Sequence, residues 1–370
     1  MGMTLNAILR PHAENAYAVE LEALKNLDTR DKPASWNLSP WSVLLYIMGG
    51  KLEDGTLITP KYIGSKNLVE VAIATLLSDR ALLLIGIPGT AKTWMSEHLA
   101  AAISGDSTLL VQGTAGTNEE SLRYGWNYAQ LIAKGPSRDA LVPGPVMKAM
   151  NTGKLVRIEE LTRIPTEVQD ALITILSEKT LPIAELNEEV QAIQGFNVIA
   201  TANDQDKGIH PLSSALQRRF NTLVMPLPET LEDEVRIVRQ RIHQMEQMMQ
   251  INLEKLKDQH TEKLVRMFRE LREGISHDKK QKIKQSKATL SPAEAISIVH
   301  HARIQHHFFS DAAIGPAQIA SGFVHSVIKN DPEEKLILQE YTEAILKKRP
   351  EFKDWYEAMH HLLLDTNKRL

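Results

Sequence analysis

Between residues 61 and 226, short apolar runs alternate with longer amphipathic stretches. The runs fall at 81–85, 108–111, 155–158, 197–201 and 222–225. Runs of four or five residues are strand-length, and the stretches between them carry helical spacing. Strand alternating with helix predicts an α/β core, a mostly parallel sheet covered by helices on both faces. Before it, residues 1–60 hold helix-like segments broken by Pro33, Pro40 and the Gly49-Gly50 pair. After Pro226 and Pro228 the pattern turns almost wholly helical, and 229–273 contains neither Pro nor Gly. Ser291-Pro292-Ala293-Glu294 opens a further helix, with Ser291 as cap, Pro292 in the first turn and Glu294 reaching back. The last segment, 316–370, is helical with a break at Asn330-Asp331-Pro332. Four parts are expected: an N-terminal helical extension over 1–60, the α/β core over 61–226, an all-α region over 227–315 and a C-terminal helical segment over 316–370.

Composition narrows the class. At 370 residues and 43% apolar content, the chain can bury more than one core. A net charge of −3 exerts no overall pull on nucleic acid or anionic lipid. The absence of cysteine excludes disulfides, thiolate metal sites and cysteine nucleophiles. No apolar run approaches the length of a membrane span, and the N-terminus lacks the pattern of a secretory signal. The expectation is a soluble, cytoplasmic protein.

Candidate chemistry starts where the first run ends. Leu82–Ile85 leads into Gly86-Ile87-Pro88-Gly89-Thr90-Ala91-Lys92-Thr93-Trp94 and then a helical pattern. The two glycines let the backbone curl its N–H groups toward an anion, and the helix that follows adds its positive end. Lys92 would reach the β- and γ-phosphates of a nucleotide, and the Thr93 hydroxyl would take one place on Mg²⁺. The pattern G-x-x-x-x-G-K-[ST] has Ala91 in place of its second glycine. Such loops lie beyond the carboxyl ends of parallel strands, where this one falls.

Hydrolysis needs carboxylates from a second strand. Leu155-Val156-Arg157-Ile158 runs into Glu159-Glu160, the first suited to the metal shell and the second to polarising a water. Glu159 is one methylene longer than the usual Asp. Asn203, after the 197–201 run, would place an amide near the γ-phosphate to orient the same water. Arg218 and Arg219, just before Phe220, offer guanidinium forks suited to phosphate oxygens.

These pieces in this order resemble the AAA+ ATPases, and among them the MoxR family. The 86–93 loop, Glu159-Glu160-Leu161-Thr162-Arg163-Ile164-Pro165, Val168–Leu172, Val142-Pro143-Gly144-Pro145 and 198–203 all have counterparts there, so the resemblance covers about residues 61–310. It implies a P-loop core with a helical lid, ATP and Mg²⁺ as cofactors, and a ring, usually a hexamer, with nucleotide between neighbours. Arg219 falls in that family's arginine-finger slot, Arg218 would share the task, and Arg163 would also face the neighbour. The implied activity is ATP-driven protein remodelling or maturation, often with a von Willebrand factor A domain partner. Two departures stand out: Glu159 in place of Asp, and Ser291-Pro292-Ala293 where the family commonly reads Ser-Pro-Arg. They favour slower hydrolysis, so a nucleotide-gated scaffold with little turnover is a second reading. A third, a nucleic-acid-linked NTPase using GTP in the manner of McrBC-type restriction enzymes, rests on Asn203-Asp204-Gln205-Asp206 without the usual lysine.

Other signals weigh less. Tyr124, Trp126 and Tyr128 have strand-like spacing, read as a small packed hairpin, with contact to a client or partner as the sharper alternative. The lysines at 279, 280, 282, 284 and 287 read as a solvated loop rather than a nucleic-acid site. His300-His301 and His306-His307 lack the spacing of a zinc helix, and Met245, Met248 and Met249 read as helix packing.

Overall fold

A computed structural model describes residues 8–203, 210–249, 258–310, 314–329 and 331–365. They form two compact units. One comprises Met225 and what precedes it, except the loop tip Pro88–Thr90, which clusters with the other; the second runs from Pro226 onward.

The five apolar runs are the strands of one parallel sheet: β1 (Ala81–Ile85), β2 (Leu110–Gln112), β3 (Leu155–Glu159), β4 (Asn197–Ala202) and β5 (Phe220–Val224). Their order is β5-β1-β4-β3-β2, and every pairing is parallel. Ala200 lies opposite Leu83 on one side and Ile158 on the other, so β1, β4 and β3 end together at their carboxyl edges. Strands covered on both faces read as continuous apolar runs, and for this reason the sequence pattern located them.

Helices of the first unit include α1 (Ala13–Ala16), α2 (Ala18–Leu27), α3 (Pro40–Met48), α4 (Lys66–Leu77), α5 (Lys92–Ser104), α6 (Pro145–Thr152) and α7 (Thr166–Glu178), besides short helices at Glu119–Leu122, Tyr128–Lys134 and Ser214–Gln217. Alternation along the strands divides the core. Leu83, Val156, Ile158, Val198 and Ala200 face a cluster with Met147, Met150, Leu172 and Ile175. Leu82, Leu84, Leu155 and Ile199 face the opposite cluster with Leu99, Ile103, Val69 and Ile73. Leu24, Trp36, Val43, Tyr46 and Ile47 belong to that second cluster, so the N-terminal segment shares its core with β1 and α5. The spacing of Tyr124 and Trp126 does mark a small hairpin, Tyr124–Trp126 pairing antiparallel with Leu141–Pro143.

The second unit is helical: α8 (Leu231–Met249), α9 (Asp258–Glu273), α10 (Pro292–Phe309), α11 (Pro316–Ile328), α12 (Pro332–Ala344) and α13 (Lys353–Asp365). One core holds it, with Val238, Leu264, Phe268, Phe323, Leu338, Tyr341, Trp355 and Met359 all buried, so 227–315 and 316–365 are joined by a common interior. At Ser291 the expected reciprocal cap is present, Glu294 accepting from its backbone N–H at 3.1 Å. Among the lysines of 279–287, Lys284 and Lys287 pair with Glu333 on the surface. Met248 and Met249 are exposed rather than packed, because the apolar stripe of α8 runs through Val235, Val238 and Ile242. No described helix is long and apolar enough to cross a membrane.

Candidate functional site

The loop after β1 takes the backbone path that its glycines allow. Gly86 has φ 154°, Gly89 has φ 81° and Ala91, the cap of α5, has φ 64° in the left-handed region. An L-residue there costs about 1–2 kcal/mol, so Ala91 carries conformational strain as well as an added Cβ. Ala91 has no side-chain acceptor for the first turn of α5, and that turn holds no acidic residue. The positive end of the helix, with no acidic side chain to offset it, therefore suits an anion. Lys92 is buried, and its ammonium donates to the carbonyls of Gly86 at 2.7 Å and Ile87 at 2.8 Å, which holds the charge over the loop. Thr90 is buried, Thr93 is exposed at the helix start, and the Trp94 ring lies 4.4 Å from that of His98 one turn along. This donor set fits a nucleotide polyphosphate.

Beneath the first turn of α5 is a buried polar cluster. The Glu159 carboxylate, 2% exposed, accepts from the Arg157 guanidinium at 2.8 Å and Ser96 Oγ at 2.5 Å on one oxygen. Its other oxygen accepts from Thr93 Oγ1 at 2.8 Å and Thr201 Oγ1 at 2.6 Å. The structure thus joins the two residues expected at the metal, Thr93 and Glu159. Their oxygens are the hard donors Mg²⁺ takes, and such a site is completed by phosphates and water. In keeping with that, no group of three His, Cys, Asp or Glu side chains among the described residues is placed to hold a metal alone.

Glu160 follows at the end of β3 with φ 57°, again left-handed. Such a backbone costs on the order of 1–3 kcal/mol and survives only where its surroundings impose it. Here the Glu160 N–H donates to Thr201 Oγ1 at 3.2 Å, and Asn203 Nδ2 donates to both carboxylate oxygens, at 3.2 and 3.1 Å. Gly113 completes the turn from the neighbouring strand. A Cβ on it would lie 2.3 Å from the Glu160 carbonyl oxygen, so only glycine fits. The structure therefore brings Lys92, Thr93, Glu159, Glu160 and Asn203 together at the carboxyl edge of the sheet.

Arg218 and Arg219 are elsewhere. The Arg219 carbonyl accepts from the Ala81 N–H, at the amino end of β1. With about 3.3 Å per residue, β1 separates them from its own loop by on the order of 15 Å. Arg218 is exposed, and Arg219 donates to Ser177 Oγ and the Ala215 carbonyl. Asp204 and Asp206 lie outside the described residues.

Sequence reasoning passed over Arg157, Ser96, Thr201 and Gly113. Arg157 had a legible signal, since period two puts it on the face shared by Leu155 and Glu159.

The comparisons agree with this geometry. Residues 81–220 match the AAA domain of the dynein-related subfamily, and residues 232–362 match the YehL-like AAA+ ATPase C-terminal domain. Over 363 residues the chain is 38% identical to the uncharacterised protein YehL of Escherichia coli K12, covering 96% of this chain and 98% of that one. An uncharacterised protein of Staphylococcus aureus USA300 is 31% identical over 144 residues, 38% of this chain and 54% of its own. The crystal structure of NtrX from Brucella abortus in complex with ADP superposes with a TM-score of 0.50 at 13% identity, over 80% of this chain and 64% of NtrX, a likeness of fold alone. A nucleotide loop, a carboxylate pair and an asparagine on a β5-β1-β4-β3-β2 sheet, continuous with a matching helical domain, identify the chain as a member of the YehL-like AAA+ ATPases.

Proposed function

We propose that this chain hydrolyses ATP in a homo-oligomeric ring, a hexamer of MoxR type in the cytoplasm, and uses the cycle to remodel or mature a protein client. The observation that carries this reading is the pairing of Glu160 with Asn203 beside a loop built for phosphate. Lys92 binds the β- and γ-phosphates, and α5 adds its positive end. Thr93 holds Mg²⁺, supported from behind by Glu159; the bound metal neutralises phosphate charge. Glu160 is the base that polarises water, and Asn203 fixes the direction of its carboxylate. Water attacks the γ-phosphorus, the bond to the β,γ-bridging oxygen breaks, and ADP and phosphate leave.

Arg219, with Arg218, acts on the site of the next subunit. Their place at the amino end of β1, on the order of 15 Å from their own loop, supports action in trans. An arginine given this way is worth about 10³-fold or more in rate. The client is proposed to be a protein with a von Willebrand factor A domain, on the MoxR resemblance.

Steady-state phosphate release from ATP, with the oligomeric state read in parallel, tests the reading. Turnover by an oligomer that Glu160→Gln abolishes is the expected result. A chain with no affinity for adenine nucleotides, or one that stays monomeric when saturated with them, overturns it. A second reading, a nucleotide-gated scaffold, is favoured by the strained backbone of Glu160 and the fully bonded carboxylate of Glu159, and negligible turnover with tight ATP binding would select it.

A further inference from the structure

Arg157 is a buried charge of the first unit that the proposed cycle leaves without a role. It is 4% exposed, on β3, where its strand neighbours Val156 and Ile158 are apolar and buried. Its guanidinium makes four contacts: Nε with Ser96 Oγ at 3.1 Å, Nη1 with the Ser107 carbonyl at 3.1 Å, and Nη2 with the Thr93 carbonyl at 3.3 Å and Glu159 Oε1 at 2.8 Å. A buried guanidinium is costly to desolvate and persists only where it is paired and hydrogen-bonded, as here.

The carboxylate it meets is equally complete. A carboxylate offers about four lone-pair positions, two on each oxygen. On Glu159 all four are in use, by Arg157 and Ser96 on one oxygen and by Thr93 and Thr201 on the other. The extra methylene of glutamate carries the carboxylate to this set of donors.

We infer that Arg157 is a positioning residue that makes Glu159 a charge-compensated, inward-held acceptor for the Thr93 hydroxyl rather than a direct ligand of Mg²⁺. Arg157 and Glu159 act as one unit of zero net charge, and Thr93 is what the metal meets. The longer acid and the buried arginine are thus a matched pair. Keeping one without the other leaves an uncompensated charge under the phosphates. The inference rests on the nucleotide-site reading above.

The test is second-site rescue, read as binding rather than turnover. ADP affinity is measured with MgCl₂ and with EDTA, and the ratio of the two is the metal response. Glu159→Gln keeps a carbonyl acceptor for Thr93 but leaves Arg157 unpaired, so it should lower the metal response by about tenfold or more. Arg157→Met with Glu159→Gln restores neutrality and should return the response to within about threefold of the parent. If Glu159 is itself the ligand, the double variant remains as impaired as Glu159→Gln, and the inference falls. It falls equally if Glu159→Gln alone keeps the parent's metal response. Should Glu159→Gln fail to fold, the double variant decides alone, since a folded double variant without a metal response overturns the inference and one with it supports it. A parent that binds no ADP under either condition refutes the nucleotide site, a result distinct from both.

Discussion

The Asn203 amide spans the Glu160 carboxylate, with Nδ2 at 3.2 and 3.1 Å from its two oxygens. An amide placed across a carboxylate fixes its plane, and the left-handed backbone of Glu160 fixes where that plane starts. Geometry rather than bulk charge then separates binding from turnover. Glu160→Gln should bind ATP within about threefold of the parent while losing turnover by about 10²-fold or more, the usual scale of positioned base catalysis. Equilibrium binding and phosphate release on the same preparation check both halves. Hydrolysis at the parental rate would assign the base elsewhere.

Lys92→Ala should act at the earlier step. The ammonium is buried and aimed over the loop by two carbonyls, and charge-assisted hydrogen bonds contribute up to about 3 kcal/mol, about a hundredfold in affinity. Titration with ATP should show that loss, and circular dichroism should show an unchanged fold. An unaltered dissociation constant would remove Lys92 from the phosphate site.

Separation of Arg218 and Arg219 from their own loop permits a mixing experiment. Lys92→Ala retains the arginines, and the Arg218→Ala, Arg219→Ala double variant retains the loop. Each alone should be inactive, and a mixture should regain measurable turnover as intact sites form between unlike copies. A mixture as inactive as its parts would mean that the arginines act within their own chain or not at all.

Gly113 offers a steric prediction. A methyl group there meets the Glu160 and Glu159 carbonyls at 2.3 and 2.8 Å, and backbone atoms yield little. Gly113→Ala should therefore displace Glu160 and lower turnover by about tenfold or more, with melting reduced by the order of 1–3 kcal/mol typical of overpacking. Parental turnover in this variant would show that the β2 edge does not support the carboxylate.

Lys61 makes stability depend on pH. Its ammonium lies between the Tyr17 and Tyr46 rings, 4.2 and 4.4 Å away, and pairs with Glu20 at 2.7 Å. Burial lowers its pKa from 10.5 to about 8, against the opposing pull of Glu20. Between those values the unfolded chain binds more protons than the folded one, so stability rises with pH across that window. The gain approaches about 3 kcal/mol by pH 10.5. Tyr46 opposes it above its ordinary value of 10, since burial raises its pKa and the unfolded chain ionises first. Denaturant melts of the parent and Lys61→Met from pH 8 to 10 should show a rise in the parent alone. Equal slopes would assign the titration to other groups.

Much of the core was legible because its strands are buried on both faces. Leu82 to Ile85 or Val198 to Ala200 can be little else, and the phosphate loop is a local signature. Period two places Arg157 on the face of Leu155 and Glu159, but its partners Ser96 and Thr93 on α5 are far away in the chain and no local pattern names them. The N-terminal sixty residues gave helices but no destination. Their contacts, such as Tyr46 Oη with His98 Nδ1 at 2.8 Å, join residues far apart in the chain, and no local pattern encodes them. The strain at Ala91 and Glu160 was equally silent, because a left-handed backbone at a non-glycine residue is imposed by packing.

The shared core of the N-terminal helices with β1 and α5 bears on how this chain can be cut down. A fragment starting at residue 61, where the resemblance to the MoxR family begins, would bare the flank of α5 that Val43, Tyr46 and Ile47 cover. Such a truncation would yield a sticky, misassembling polypeptide instead of a minimal motor, so the smallest workable catalytic module must retain its leading helices.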